Sequence, residues 1–149
     1  MTLIQTAQLS DIDAIAALEQ YHYGADGYPS AFFYQALAQW PQWLLCAKRS
    51  DQVQGYLLAA PGSAHTELWL MSLLVSPAAR GLGIGKQLVT TFQSICREHS
   101  SIQKVHLTVA PTNTSATQLY LNHGFEVHAE YSNYLGPGED RLLLTWKSH

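Results

Sequence analysis

The stretch from Leu68 to Leu88, LWLMSLLVSPAARGLGIGKQL, decides the fold. Its first part is a nearly continuous apolar run, which is typical of a strand covered on both faces. Pro77 ends this predicted strand. Gly81, Gly83 and Gly85 follow at alternate positions, and helical apolar spacing then begins. The stretch therefore predicts a strand, a glycine-rich turn and the start of a helix.

This turn has the features of an anion site. Glycine lets the backbone come close to a ligand, and the unpaired N–H groups at a helix start favour phosphate. A Walker loop is excluded because position 80 is Arg and Gly85-Lys86 is followed by Gln87. A dinucleotide fingerprint is excluded because Lys86 occupies the place of its third glycine. The pattern that remains is Arg80-x-x-Gly83-x-Gly85.

Composition limits the partners and the compartment. The 149 residues are 47% hydrophobic and 13% charged, with a net charge of -3 and no cluster of Lys or Arg, so we expect neither nucleic acid nor a membrane surface as a partner. No apolar run approaches the roughly 20 residues of a membrane helix, and the N-terminus lacks a signal-peptide pattern. Cys46 and Cys96 fall in predicted core elements, which suits a cytoplasmic protein. Neither Cys nor His has metal-ligand spacing, so we expect no metal.

The predicted element order is strand, two helices, three strands, helix, strand, helix and two strands, within one predicted domain, residues 1–149. Turn and cap signals separate these segments. Hairpins join the strands in the first part of the chain, and helical crossovers join the later strands. The sheet should therefore be mixed, with about seven strands and about four helices, an α/β (α+β) fold. The predicted strands are Leu3–Ala7, Trp43–Lys48, Val53–Ala60, the central strand, Lys104–Ala110, Phe125–Tyr131 and Arg141–Lys147. The predicted helices run from Ser10 to about Tyr21, from Ser30 to Gln39, from the glycine turn to about His99, and from the 112–115 turn to about His123, with Gly124 as C-cap.

Two motifs in this order resemble those of the GNAT superfamily of acyl-CoA N-acyltransferases. The first is Arg80-x-x-Gly83-x-Gly85 directly after a strand that ends in Val-x-Pro. The second is Asn113-x-x-Ala116-x-x-Leu119-Tyr120-x-x-x-Gly124-Phe125, one strand later. The resemblance covers nearly the whole chain and implies a single GNAT-like domain with a mostly antiparallel sheet. It also implies transfer of an acetyl group from acetyl-CoA to an amine by direct transfer in a ternary complex.

The resemblance assigns roles to individual residues. Tyr120 would protonate the departing thiolate as the catalytic acid, although a tyrosine in an amphipathic helix is also a common core residue. Asn113 would contact the pantetheine, and it also suits a helix N-cap. The backbone of the central strand would pair with the pantetheine, and the turn amides would hold the pyrophosphate. The cofactor-binding residues are then Leu73, Leu74, Val75, Arg80, Gly81, Leu82, Gly83, Ile84, Gly85, Lys86 and Asn113.

The general base stays open. Many relatives carry a glutamate four residues before the Val of Val-x-Pro, where this chain has Met71, which cannot take a proton. Ser72 follows, and it is a poor base without help. The other candidates are water or the ionisable residues nearby, each of which is more often a surface or capping residue: Glu67, His65, Glu19, Asp26 and His22.

Other interpretations also remain open. The acceptor amine belongs to a small molecule or a peptide, and the donor carries acetyl or a longer acyl group. The chain forms a monomer or a homodimer. The second function class is a non-catalytic acyl-CoA sensor on the same fold, favoured by Met71 and disfavoured by Tyr120.

Overall fold

The computed structural model describes residues 1–148, and its elements follow the predicted order. The helices are α1 (Ile12–Tyr23), α2 (Ser30–Gln39), α3 (Ile84–Glu98) and α4 (Thr114–Leu121). The strands are β1 (Leu3–Thr6), β2 (Leu44–Arg49), β3 (Gln52–Pro61), β4 (Glu67–Val75), β5 (Lys104–Val109), β6 (Glu126–Tyr131) and β7 (Arg141–Lys147).

The strands form one seven-stranded mixed sheet in the order β1-β2-β3-β4-β5-β7-β6. β4 and β5 are parallel, because α3 connects them as a crossover. The β1–β2, β2–β3, β5–β7 and β6–β7 pairs are antiparallel. The predicted fold class is therefore confirmed. No helix in residues 1–148 is long and apolar enough to cross a membrane.

Contacts divide the chain into two units. The first unit contains Met1–Ala60 and Ser72–Phe92, and the second contains Pro61–Met71 and the chain from Gln93 onward. In the first unit, the apolar faces of α1 and α2 pack on β2, β3 and the end of β4. The buried residues of this core are Ala7, Ile12, Ile15, Phe33, Ala36, Leu44, Cys46, Tyr56, Leu58 and Leu74. That the whole chain is one domain stays a prediction.

The second unit contains the β5–β7–β6 arrangement, with Val105, Leu107 and Leu144 fully covered. α4 ends at Leu121, two residues before the predicted end, and Asn122 is its C-cap. Gly124 nevertheless has the predicted left-handed conformation, with φ of +86°. A Cβ at Gly124 would lie 3.3 Å from the Trp146 ring, so the turn after α4 needs glycine for both shape and space.

The prediction that β4 is covered on both faces is wrong for its first half. Leu68 and Leu70 are buried, but Trp69 is only half-buried and Met71 is 40% exposed. Burial thus alternates along this part of the strand, which is the pattern of a strand covered on one face. Trp69 reaches partial burial by lying against the His106 ring, with 5.0 Å between ring centroids.

Candidate active site

The glycine turn has the geometry of an anion-binding helix start. β4 ends at Val75, a single 3-10 turn covers Pro77–Ala79, and α3 begins at Ile84. Gly81 and Gly83 have φ of +83° and +76°, a conformation that favours glycine. The Gln87 N–H donates to the Gly83 carbonyl oxygen at 3.0 Å. The N–H groups that precede Gln87 in the first turn of α3 therefore have no carbonyl partner within the helix.

Open space surrounds this turn in the first unit. A Cβ built on Gly81 or Gly83 would meet no atom within 4 Å, and Leu82 is 54% exposed. The glycines are thus required by the backbone conformation and not by packing inside the protein. The residues of this turn suit a pyrophosphate, because the space beside Gly81 and Gly83 is open and both the helix start and the Arg80 guanidinium favour an anion.

Arg80 has a partner on α1. Its guanidinium donates to the Nε2 atom of His22, whose Nδ1 atom lies 3.1 Å from the Leu18 carbonyl oxygen. This arrangement requires a neutral His22 that donates from Nδ1 and accepts at Nε2. Because a guanidinium has five N–H donors, Arg80 keeps others for an anion while His22 holds the side chain in place.

The predicted pantetheine segment is the last part of β4. Leu74 is buried, whereas Leu73 and Val75 are half-buried. β3 approaches this segment closely, since a Cβ on Gly55 would lie 2.8 Å from the Leu74 carbonyl oxygen. In the second unit, the parallel β4–β5 register ends at the Trp69–His106 pair, although both strands continue.

Asn113 and Tyr120 both lie in the second unit, at the N-cap and within α4. The Asn113 Oδ1 atom accepts from the Ala116 N–H at 3.2 Å, so the capping interpretation is confirmed. Tyr120 is 7% exposed, and its ring packs on Phe125 with 5.6 Å between centroids. The contact of Asn113 with the cofactor and the catalytic role of Tyr120 stay predictions, as do the cofactor contacts of the glycine turn and of β4.

Glu19 is a candidate base for which the surface or capping interpretation is wrong. Glu19 is 3% exposed and lies within α1, so it is neither a surface nor a capping residue. Its carboxylate accepts from the Tyr28 N–H at 2.9 Å and from the Tyr56 hydroxyl. The Ser72 Oγ atom lies 2.7 Å from the Tyr56 oxygen and 3.3 Å from Glu19 Oε1. We call Glu19, Tyr56 and Ser72 the Glu19 cluster.

This cluster connects α1 with two strands. Burial and the neighbouring carboxylate raise the pKa of Tyr56 well above its usual range, so its phenol stays protonated as a donor. Burial, and then the charge of Glu19, also raise the pKa of Tyr28. The loop before Tyr28 comes close enough to donate because residue 27 is glycine. A Cβ at Gly27 would be 3.1 Å from Glu19 Cγ.

A second polar cluster lies in the other unit. The His106 Nε2 atom is 2.8 Å from Glu67 Oε1, and its Nδ1 atom is 2.9 Å from Thr145 Oγ1. The hydrogen bond from His106 lowers the pKa of Glu67. The other candidate bases, His65 and Asp26, are exposed. Within residues 1–148, no group of three or more His, Cys, Asp or Glu could hold a metal ion.

Comparisons with known proteins agree with this geometry. Residues 9–125 match the model of the acetyltransferase (GNAT) family. An N-alpha-acetyltransferase of Sulfurisphaera tokodaii is 26% identical, over 95% of this chain and 90% of the relative. Ard1 from Thermoplasma volcanium has a TM-score of 0.88 at 23% identity, covering 98% of this chain and 97% of its own.

A further solved structure contains a ligand. Arabidopsis thaliana Naa50, in complex with the bisubstrate analogue CoA-Ac-MVNAL, has a TM-score of 0.82 at 19% identity. The match covers 97% of both chains. At these identities the solved structures show the shared fold, whereas the family match covers most of the chain. The chain belongs to the GNAT family of acetyltransferases and is an acetyl-CoA-dependent N-acetyltransferase that acts on an amine.

Proposed function

We propose that this enzyme acetylates the α-amino group of a peptide or protein N-terminus. The observation that carries the proposal is the nearly full-length similarity to the N-alpha-acetyltransferase of Sulfurisphaera tokodaii. Naa50, which shares the fold, binds an analogue in which CoA and the peptide MVNAL are joined through an acetyl group. Both observations concern relatives, and the chemistry of this chain adds an argument of its own.

That argument is the protonation state of the acceptor. Met71 cannot remove a proton, so an acceptor that is already partly neutral is favoured. An α-amino group has a pKa of about 7.7–8.0, and about a tenth of it is neutral at pH 7. A lysine ε-amine has a pKa of about 10.4, and only about one molecule in 2,500 is neutral. The α-amine therefore needs less help from a base.

The proposed roles of the site residues follow the chemistry of a thioester. The turn amides from Arg80 to Lys86 hold the pyrophosphate, and the β4 backbone at Leu73–Val75 aligns the pantetheine with help from Asn113. A backbone N–H of this strand stabilises the carbonyl oxygen as negative charge develops on it. Direct attack by the amine forms the C–N bond and breaks the C–S bond within one ternary complex. Tyr120 then gives its proton to the thiolate, since a phenol with a pKa near 10 is a suitable donor.

Two finer proposals concern the compartment of the enzyme and the acyl group of its donor. We assign it to the cytoplasm because Cys46 and Cys96 are both free and buried. Fractionation of the source cells tests this assignment. For the donor we propose acetyl, and competition between acetyl-CoA and longer acyl-CoA esters at equal concentration tests that choice.

The test of the function uses matched peptides. The first has a free N-terminus and no lysine, and the second has the same sequence with a blocked N-terminus and one added lysine. We expect CoA thiol release with the first peptide. Its N-terminal residue should gain about 42 Da, which is the mass that an acetyl group adds. Acetylation of the second peptide alone would contradict the α-amine proposal. Heat of acetyl-CoA binding without turnover of any amine would favour the sensor alternative.

A further inference from the structure

The Glu19 cluster forms a continuous path of hydrogen bonds that starts on β4. Ser72 directly precedes Leu73–Val75, the segment proposed to align the pantetheine. Its hydroxyl lies 2.7 Å from the Tyr56 oxygen, and the Tyr56 hydroxyl donates to Glu19. Ser72 is half-buried, whereas Tyr56 is fully buried and Glu19 is 3% exposed. The path therefore begins at a half-buried serine and ends at a buried carboxylate.

The donors in this path all point one way. A phenol has one proton, and Tyr56 uses it toward Glu19. The Ser72 proton is then directed at the Tyr56 oxygen at 2.7 Å, or at Glu19 Oε1 at 3.3 Å. In both cases the lone pairs of Ser72 Oγ remain available to a donor from outside the cluster. An attacking amine is such a donor.

On the basis of the proposed function, we propose that Ser72 accepts the proton of the attacking amine and passes it through Tyr56 to Glu19. As the C–N bond forms, the amine proton moves to Ser72 Oγ. The Ser72 proton moves to the Tyr56 oxygen, and the Tyr56 proton moves to Glu19 Oε1. Glu19 ends as a neutral carboxylic acid and returns the proton to water after product release. The proton that the thiolate needs comes separately from Tyr120, which regains a proton from water after product release.

The other polar cluster is less suited to this step. His106 already uses both ring nitrogens, one toward Thr145 and one toward Glu67. A neutral imidazole with two such bonds has no lone pair left for an amine. Ser72 in contrast keeps acceptor capacity, so the proton path through Glu19 is the one that the geometry favours.

The charge of Glu19 acts on two titratable side chains of the first unit, Tyr28 in the loop after α1 and Tyr56 on β3. Tyr23 on α1 acts on the same two phenols. Phenols have an ordinary pKa near 10 and are neutral at pH 7, so the Glu19 carboxylate is the group in this path that can hold an additional proton. No step of the relay requires a second carboxylate.

The experiment measures single-turnover acetyl transfer to the unblocked peptide between pH 6.5 and 9.5. Ser72→Ala should lower the rate at pH 7 by about 10²-fold, the lower end of the effect of a general base. The loss should shrink toward pH 9.5, where the amine arrives neutral and hydroxide can take its proton. Ser72→Thr keeps a hydroxyl and should restore most of the rate.

Two further variants test the interior of the path. Tyr56→Phe should lower the rate at pH 7, and Tyr34→Phe is its matched control. Tyr34 also donates to a carboxylate of α1, that of Asp13 at 2.8 Å, but at the protein surface. Tyr34→Phe should leave the rate unchanged. Glu19→Gln should show the same pH-dependent loss as Ser72→Ala, with its acetyl-CoA affinity measured in parallel.

The outcomes separate this proposal from the proposed function. The relay would be overturned, and the α-amine function left intact, if the wild type is active and Ser72→Ala has the same rate. The same conclusion would follow if Ser72→Ala lowers the rate by the same factor at every pH. Failure of Ser72→Thr to recover the rate would also overturn the relay. A wild type that binds acetyl-CoA and acetylates no amine would overturn both.

Discussion

Replacing Gly83 with alanine separates cofactor binding from folding, because the chain supplies a matched control. Gly83 has φ of +76°, and a Cβ there would meet no atom within 4 Å. Gly138 has φ of +77° and the same open surroundings, but it lies between β6 and β7. The two Ala variants therefore have the same backbone strain and differ in whether the new methyl group faces the proposed pyrophosphate.

The expected magnitudes follow from this geometry. A side chain held in the left-handed region costs about 1–2 kcal/mol, so both variants should melt about 2–8 °C below wild type. For Gly83→Ala alone, the methyl group should push the phosphate away from the backbone. Loss of one charge-assisted hydrogen bond, about 1.5–3 kcal/mol, weakens acetyl-CoA binding about 10- to 100-fold. Thermal melts without ligand and titration calorimetry with acetyl-CoA measure the two effects.

The comparison of the two variants decides the result. If Gly83→Ala binds acetyl-CoA as tightly as Gly138→Ala does, the pyrophosphate does not lie on this turn. If both variants lose affinity equally, the loss reports general destabilisation and the assignment of the turn is again refuted. Only a loss confined to Gly83→Ala supports it.

Three other predictions use residues of the site and the core. Tyr120→Phe should lower kcat by about 10²–10⁴-fold with little change in the Kd of acetyl-CoA, measured where chemistry limits turnover; an unchanged kcat would return Tyr120 to a packing role. Burial raises the pKa of Cys46 and of Cys96 to about 12. Neither thiol should therefore react with a thiol reagent at pH 8 until the protein is unfolded. Rapid labelling of the native protein would contradict this prediction. Because His106 holds the pKa of Glu67 below its ordinary value of 4.5, this pair stabilises the fold above that pH, and the stabilisation is lost as the pH falls through the folded pKa. His106→Gln should therefore be less stable than wild type at pH 6 but not at pH 2 in urea titrations. An equal loss of stability at both pH values would refute this linkage.

The element order could be predicted from local signals. Pro77 and Pro111 end strands, the glycines mark turns, and the spacing of apolar residues gives the helix faces. These signals act over a few residues, which is why the predicted bounds differ from the observed ones by only one or two positions. The burial of β4 was predicted less well, because an apolar run does not reveal which face another element covers.

The site was predictable only in part, for a related reason. The glycine turn is a local motif, so its conformation follows from the sequence. The contact between Arg80 and His22 joins residues 58 positions apart, and no sequence pattern indicates it. Glu19 gave one usable signal, since it occupies the apolar face of α1 together with Ile12 and Ile15. A charged residue in such a position is a candidate for a buried, hydrogen-bonded group.

The buried carboxylate of Glu19 also has a consequence for how the strands are aligned during folding. Tyr56 lies opposite Cys46 in the β2–β3 register, and a slip of one residue would turn its side chain to the other face of the sheet. Glu19 would then be enclosed without its phenol donor. Losing a hydrogen bond to a charged group costs about 1.5–3 kcal/mol, so the slipped form is disfavoured by at least about tenfold from this contact alone. The Glu19 carboxylate thus favours a single register for β3. With apolar residues alone, the free-energy difference between the correct and slipped registers would be smaller.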